Sequence, residues 1–212
     1  MKRTAFLVDG YNLYHSLREA ERVSAGAGLR WLDLSAFAGS FLELIGRDAV
    51  LVEVTYFSAL AHHRERERPG TTARHRTYLA ALAASGVLVT RGHFKQKRFR
   101  CSLCSATTRI FEEKETDVSI AAHLFELYQR NTCDAAVLVT GDSDLASAVR
   151  SAKTLFPAKQ TFVVFPFART SDELRSVATG SFKASTSHYR RCQFPDPFVP
   201  SDGLAIAKPP GW

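Results

Sequence analysis

Short apolar runs recur along the chain at residues 4–8, 50–57, 86–89, 135–139 and 161–165. They are continuous rather than alternating, which is the pattern of strands covered on both faces of a parallel sheet. Stripes at helical spacing lie between them: Ala38, Phe41, Leu42 and Ile45; Tyr78, Leu79 and Leu82; Ile120, Ala121, Leu124 and Tyr128; Leu145, Ala148, Val149 and Ala152. Strands alternating with helices of this length build βαβ units with right-handed crossovers. The expected fold is α/β, a Rossmann-like three-layer domain around a central, mainly parallel sheet.

Two segments break the pattern. Residues 64–73 are charged and contain Pro69-Gly70, which reads as an exposed loop. Residues 94–113 are basic, carry two close cysteines and read as a hairpin insertion. After Cys192 the chain gathers Pro195, Pro197, Pro200, Pro209 and Pro210. The expected organisation is one domain over 1–192, with the hairpin about 94–113, followed by a Pro-rich tail, 193–212, that is irregular and serves as linker or docking segment.

Composition narrows the function classes. A chain of 212 residues that is 45% hydrophobic can bury one full core, and nothing in it suggests disorder, collagen or a coiled coil. Lys and Arg exceed Asp and Glu by 28 to 21, a formal +7, which favours a polyanionic partner. The apolar run after Met1-Lys2-Arg3 stops at Asp9, too short for a secretion signal, and no stretch approaches the roughly 18 apolar residues of a membrane span. Four cysteines without a pairing pattern do not make a disulfide framework, so a cytoplasmic protein with reduced thiols and no membrane partner is expected.

The candidate chemistry is acidic. In open α/β sheets ligands bind beyond the carboxyl ends of the strands. One predicted strand ends Phe6-Leu7-Val8-Asp9-Gly10-Tyr11-Asn12, and another ends Val139-Thr140-Gly141-Asp142-Ser143-Asp144. Gly10 and Gly141 permit a tight turn and close approach of a ligand to the backbone. Asp117 opens a predicted helix in phase with its apolar stripe and should face the protein body. Each aspartate alone reads as a helix cap. Several converging on one crevice would repel each other unless a hard cation, Mg²⁺ or Mn²⁺, lay between them.

These segments resemble the motifs of NYN domains, a branch of the PIN-like nuclease superfamily. Residues 6–12 resemble the N-terminal motif, Lys114 to Asp117 the central Lys-x-x-Asp segment, and Gly141 to Asp144 the Gly-Asp-x-Asp motif. The resemblance covers about residues 4–192 and is nearest to bacterial LabA-like proteins. It implies a PIN-like fold and a divalent-metal ribonuclease. In it Asp9, Asp117, Asp142 and Asp144 are metal-site acids, Asn12 helps hold metal or water, and Lys114 contacts a phosphate or orients the nucleophile. Leu145 departs from the pattern, standing where an aromatic residue is common.

The chemistry expected is phosphodiester hydrolysis by a metal-activated water, with no side-chain nucleophile. Ser143 lacks a neighbouring His in sequence; its hydroxyl is expected to cap the helix or support a water. Single-stranded RNA is the expected partner, since Lys95, Lys97 and Arg98 can track a backbone while Phe94 and Phe99 stack bases. Arg74 and Arg76 could add phosphate contacts, and Tyr11 could stack on a base or pack in the core. Cys101 and Cys104 have the spacing of half a zinc knuckle, with His93 a candidate third ligand, against the alternative of two free thiols. Another protomer could complete that zinc set, so a homo-oligomer is an open expectation.

Two rival readings remain at this stage. One is a non-catalytic module that binds RNA or protein in a regulatory role. The other is a haloacid-dehalogenase-like phosphohydrolase, which wants Asp-x-Asp where this chain has Tyr11 two after Asp9. No Gly-x-Gly-x-x-Gly or Walker A pattern follows any strand.

Overall fold

A seven-stranded sheet forms the middle layer of the computed structural model, which describes residues 1–26, 28–100, 103–105, 107–201 and 203–212. Its strands are β1 (Lys2–Asp9), β2 (Ala49–Ala59), β3 (Leu88–Arg100), β4 (Thr107–Lys114), β5 (Ala135–Val139), β6 (Gln160–Phe165) and β7 (Gly180–Lys183). They lie in the order β4-β3-β2-β1-β5-β6-β7. All neighbours run parallel except β3 and β4, which pair antiparallel from His93↔Lys114 to Arg100↔Thr107. The helices are α1 (Gly10–Val23), α2 (Leu34–Gly39), α3 (Leu42–Ile45), α4 (Thr71–Ala84), α5 (Thr116–Gln129), α6 (Ala146–Leu155), α7 (Asp172–Val177) and α8 (Thr186–Arg191). This is the expected three-layer α/β architecture.

The continuous apolar strands are explained by two cores, one on each face. Phe6, Val8, Val137 and Val139 point to the side covered by α1, α2, α4 and α8, where Leu13, Phe37, Leu82 and Tyr189 are buried. Ala5, Leu7, Ala136 and Leu138 point to the other side, against Ile120, Leu124, Val149 and Leu174 of α5, α6 and α7. Each Val, Leu, Ile or Phe side chain among them contributes roughly 1.5–3 kcal/mol when fully removed from water.

Several details depart from the sequence reading. The stripe Ala38–Phe41–Ile45 is not one helix: the chain breaks at Ser40 and Phe41 between α2 and α3. Asp33 fixes the start of α2 by accepting hydrogen bonds from the Ser35 and Ala36 amides. The basic segment forms a hairpin that prolongs the sheet: β3 runs without interruption from the parallel sheet into the antiparallel pair with β4. The loop before α4 is ordered by Glu65, whose carboxylate accepts from the Gly70 and Thr72 amides at 2.6 and 3.0 Å. β7, a strand of sequence Gly-Ser-Phe-Lys, has no apolar run to announce it.

Beyond Cys192 the chain is irregular, as five prolines dictate, yet it returns to the body. Phe194 is buried and meets Trp31 at 5.6 Å, and the Trp31 indole donates to the Pro195 carbonyl at 3.1 Å. Trp212 packs on Tyr78 at 5.3 Å, with the Arg30 guanidinium over its ring. Among the described residues no helix is long and apolar enough to cross a membrane.

The strand order reverses direction around β1, whose successors lie on one side at β2 and on the other at β5. That switch point opens a crevice between the carboxyl ends of β1 and β5. It sets Asp9 beside the Thr140–Asp142 turn.

Candidate functional site

The two acidic motifs are joined by one threonine. Asp9, 4% exposed, takes the Asn12 amide on Oδ1 at 3.0 Å and the Thr140 hydroxyl on Oδ2 at 2.8 Å. The same Thr140 oxygen accepts the Asp142 amide at 3.0 Å. Asn12 closes the link from the other side, its Oδ1 accepting the Gly141 amide at 3.1 Å. A β1 end and a β5 end are thereby locked into one rigid unit of four hydrogen bonds. Thr140 has no role in the sequence reading; its signal was only its place directly after a strand, between the apolar run and the glycine.

The glycines of both motifs are required by contact rather than by φ. A Cβ on Gly10 would stand 2.5 Å from the Phe57 carbonyl oxygen, and one on Gly141 would stand 2.8 Å from Arg169 Cβ.

The capping interpretation holds for two of the aspartates. Asp9 caps α1 through the Asn12 amide, and Asp142 Oδ1 caps the short 3-10 turn Ser143–Leu145 by accepting the Asp144 amide at 3.0 Å. Asp142, not Ser143, therefore supplies the cap at this turn, and Ser143 is left exposed beside it. Capping uses one oxygen of Asp142, and among the described residues the other has no hydrogen-bond partner.

Asp117 is different. It lies in the first turn of α5, half-buried, and among the described residues its carboxylate has no hydrogen-bond or ion-pair partner. Burial first, and then the charges of Asp142 and Asp144, raise its pKa above the usual carboxylate value. Three acids from two elements are within electrostatic reach of one another. Asp144 is exposed on the same turn as Asp142.

Among the described residues no three His, Cys, Asp or Glu side chains are drawn into a ready-made metal cage. The aspartates stand at adjoining strand and helix ends instead as an open set. In kind they fit a hard divalent cation: every donor is a carboxylate oxygen, one oxygen of Asp142 is unused, and Asp117 is a part-buried acid facing two others.

The expected substrate residues divide between two places. Tyr11, half-exposed, and Arg74 line a cleft of about 850 Å³ at the carboxyl ends of β1 and β2, between α1 and α4. Arg76 lies outside that cleft, exposed on α4. Lys95, Lys97 and Arg98 are exposed along β3, but side chains alternate on a strand, so Arg98 projects from the face opposite to the two lysines. They are no single patch. Phe99 shares the lysine face and is exposed, whereas Phe94 turns inward to meet His63 at 4.7 Å. Lys114 ends β4 on the surface. Of the zinc expectation, Cys101 lies outside the described residues, Cys104 is exposed, and His93 pairs with Glu115 at 3.3 Å. Cys133 and Cys192 are buried.

The cleft also gathers residues that sequence reasoning passed over: His15 and Arg18 from α1, Arg64 from the 3-10 turn His62–Arg64, and Arg169 after β6. They are far apart in sequence, so no local spacing could announce them.

The NYN domain family model matches residues 3–185, nearly the whole described fold. The chain belongs to the NYN domain family. Membership places it in the PIN-like nuclease superfamily, whose members typically cleave nucleic acid with divalent metal; the match does not single out the LabA-like branch. A search of curated proteins returns no match. Among solved structures, the fold is similar to a protein of unknown function from Vibrio parahaemolyticus, with a TM-score of 0.59 and 20% identity, covering 87% of this chain and 93% of the other. That likeness concerns the fold alone. In this NYN domain the three motifs stand at the strand and helix ends around the β1–β5 switch point.

Proposed function

We propose that this NYN domain is a divalent-metal-dependent ribonuclease acting on single-stranded RNA. The observation that carries the proposal is Asp117, a part-buried carboxylate that has no hydrogen-bond or ion-pair partner among the described residues and faces Asp142 and Asp144. Uncompensated negative charge of this kind costs stability and is kept where a cation is to be bound. Mg²⁺ or Mn²⁺, when bound, would supply the charge that activates water and offsets the developing phosphorane charge.

The remaining roles belong to the chain itself. Asp117, Asp142 and Asp144 supply oxygen donors. Asp9, fixed by Asn12 and Thr140, sets the Thr140–Asp142 turn in register with β1, so the turn that carries Asp142 is held in place before a cation arrives. No serine, cysteine or histidine nucleophile is invoked; Ser143 is exposed on the turn and has no imidazole partner among the described residues. Lys114, at the surface end of β4, would contact a phosphate of the bound strand.

The test is cleavage of a labelled single-stranded RNA titrated with Mn²⁺ and then with chelator. Cleavage that appears with the ion and disappears with the chelator supports the reading. RNA binding with no metal-dependent cleavage would leave a non-catalytic binding module in its place.

A further inference from the structure

The cleft of about 850 Å³ beside the acidic site is lined by seven arginines and two glutamates. Both glutamates are already matched: Glu19 pairs with Arg22 at 2.6 Å and Glu21 with Arg30 at 3.0 Å. Five arginines remain without a carboxylate ion pair among the described residues. Of these, Arg74 is tied to the Pro69 carbonyl and the Thr71 hydroxyl, while the side chains of Arg18, Arg64 and Arg68 make no hydrogen bond or ion pair among the described residues. Like charges converging on one hollow repel each other, and a chain keeps such an arrangement where an anion relieves it.

Three of the cations surround one imidazole. His15 has its pKa lowered by burial and then by Arg169, Arg18 and Arg64, which reach it from three separate segments of the chain. Arg169 also lies close enough to Glu19 to help keep that carboxylate ionised. The walls are aromatic: Tyr11 meets the His15 ring at 4.5 Å edge-on, Tyr14 meets it at 5.6 Å, and Tyr78 and Trp212 close the side nearest α4. Arginine forks take phosphate oxygens, and aromatic faces take unpaired bases.

The cleft adjoins the acids through neighbouring residues, although none of the four aspartates lines it. Tyr11 follows Asp9 by two residues, and Arg169 packs directly on Gly141, next to Asp142. The volume lies toward the upper part of the roughly 300–1,000 Å³ typical of small-molecule pockets, more than one nucleotide needs.

We propose that this arginine cleft is a phosphate-binding channel that holds the stretch of single-stranded nucleic acid adjoining the bond presented to the acidic site. The inference rests on the nuclease reading for the word adjoining, but not for the binding itself. It moves the main grip on the strand from the β3–β4 hairpin to α1 and the 3-10 turn. Arg18 and Arg64 contact backbone phosphates, and Tyr11, beside the acids, stacks on the base at the entrance.

The experiment is anisotropy of a short fluorescein-labelled oligonucleotide in chelator, so that cleavage is off, with the full chain and its R18E/R64E and R18A/R64A variants. Single-stranded RNA, single-stranded DNA and inorganic pyrophosphate as competitor form its arms. The charge-reversed variant should bind RNA about tenfold or more weakly, and the alanine variant should lower the salt slope by about 0.7 per arginine. Pyrophosphate should displace the strand. Loss of RNA and DNA binding together identifies a backbone reader, and loss for RNA alone one that also senses the sugar; either supports the channel. Wild-type affinity in both folded variants, or loss confined to a K95E/K97E control, overturns it. Arginine-dependent binding by a protein that never cleaves would fail the nuclease reading and leave the channel standing.

Discussion

Thr140 donates its hydroxyl hydrogen to Asp9 at 2.8 Å while its oxygen receives the Asp142 amide at 3.0 Å, so one side chain holds both acidic motifs. Valine has the same shape without the hydroxyl. Thr140→Val should leave a buried carboxylate oxygen and an amide each short of a partner, at a cost of about 1–3 kcal/mol. The fold should survive and metal-dependent cleavage should fall about tenfold or more. Circular-dichroism melting and RNA cleavage on the same preparation check both parts; wild-type activity would show that Asp9 and the Asp142 turn work independently.

Asp117 predicts an inverse relation between stability and metal response. Asp117→Asn removes a charge that faces Asp142 and Asp144, so without metal the variant should melt at or above the wild-type temperature. A saturating divalent ion should then raise the wild-type melting point, by about 2.7 kcal/mol of stability at a hundred times its Kd, and raise the variant far less. Equal shifts in the two proteins would contradict the assigned role.

His75 gives a pH signature unrelated to the acids. Burial, followed by Arg91, depresses its pKa to about 4, and Ser58 stands 3.3 Å from its Nε2. The unfolded imidazole takes a proton near pH 6.5, whereas the folded one does so only near 4. Between those values the unfolded chain binds more protons, so stability falls with falling pH across this window and levels off below it, by about 3 kcal/mol in all. Urea midpoints from pH 7 to 4 should show this decline in the wild type and a shallower one in His75→Gln.

The segment after Cys192 should behave as part of the core. Phe194 is 4% exposed against Trp31 and Phe198, and Phe194→Ala should cost about 3–5 kcal/mol. A change of a few tenths, read from denaturant unfolding, would mean that the segment is only loosely docked.

The sheet was legible because strands buried on both faces write themselves as continuous apolar runs, and β1, β2, β5 and β6 all do so. β7 writes nothing of the kind: its Gly and Ser positions are only half-covered and its Lys is exposed at a sheet edge. α1 is diluted by Tyr14, His15, Arg18 and Glu19, which line a cleft rather than a core. The acids could be placed at strand ends from sequence, but their spacing could not, since it depends on Thr140 and on how α5 meets the β5 turn. The arginine cleft was invisible for a related reason. Arg18, Arg64 and Arg169 come together only through the crossovers, and a sequence read locally sees three solvated charges.

The central claim is that cleavage runs through the acidic site. The most direct measurement is Mn²⁺-dependent cleavage of a labelled single-stranded RNA by the wild type, Asp9→Asn and Asp142→Asn, each shown by circular dichroism to be folded. Cleavage by the wild type and its loss, by about a hundredfold or more, in both variants is the predicted result. Undiminished cleavage by both variants would contradict it.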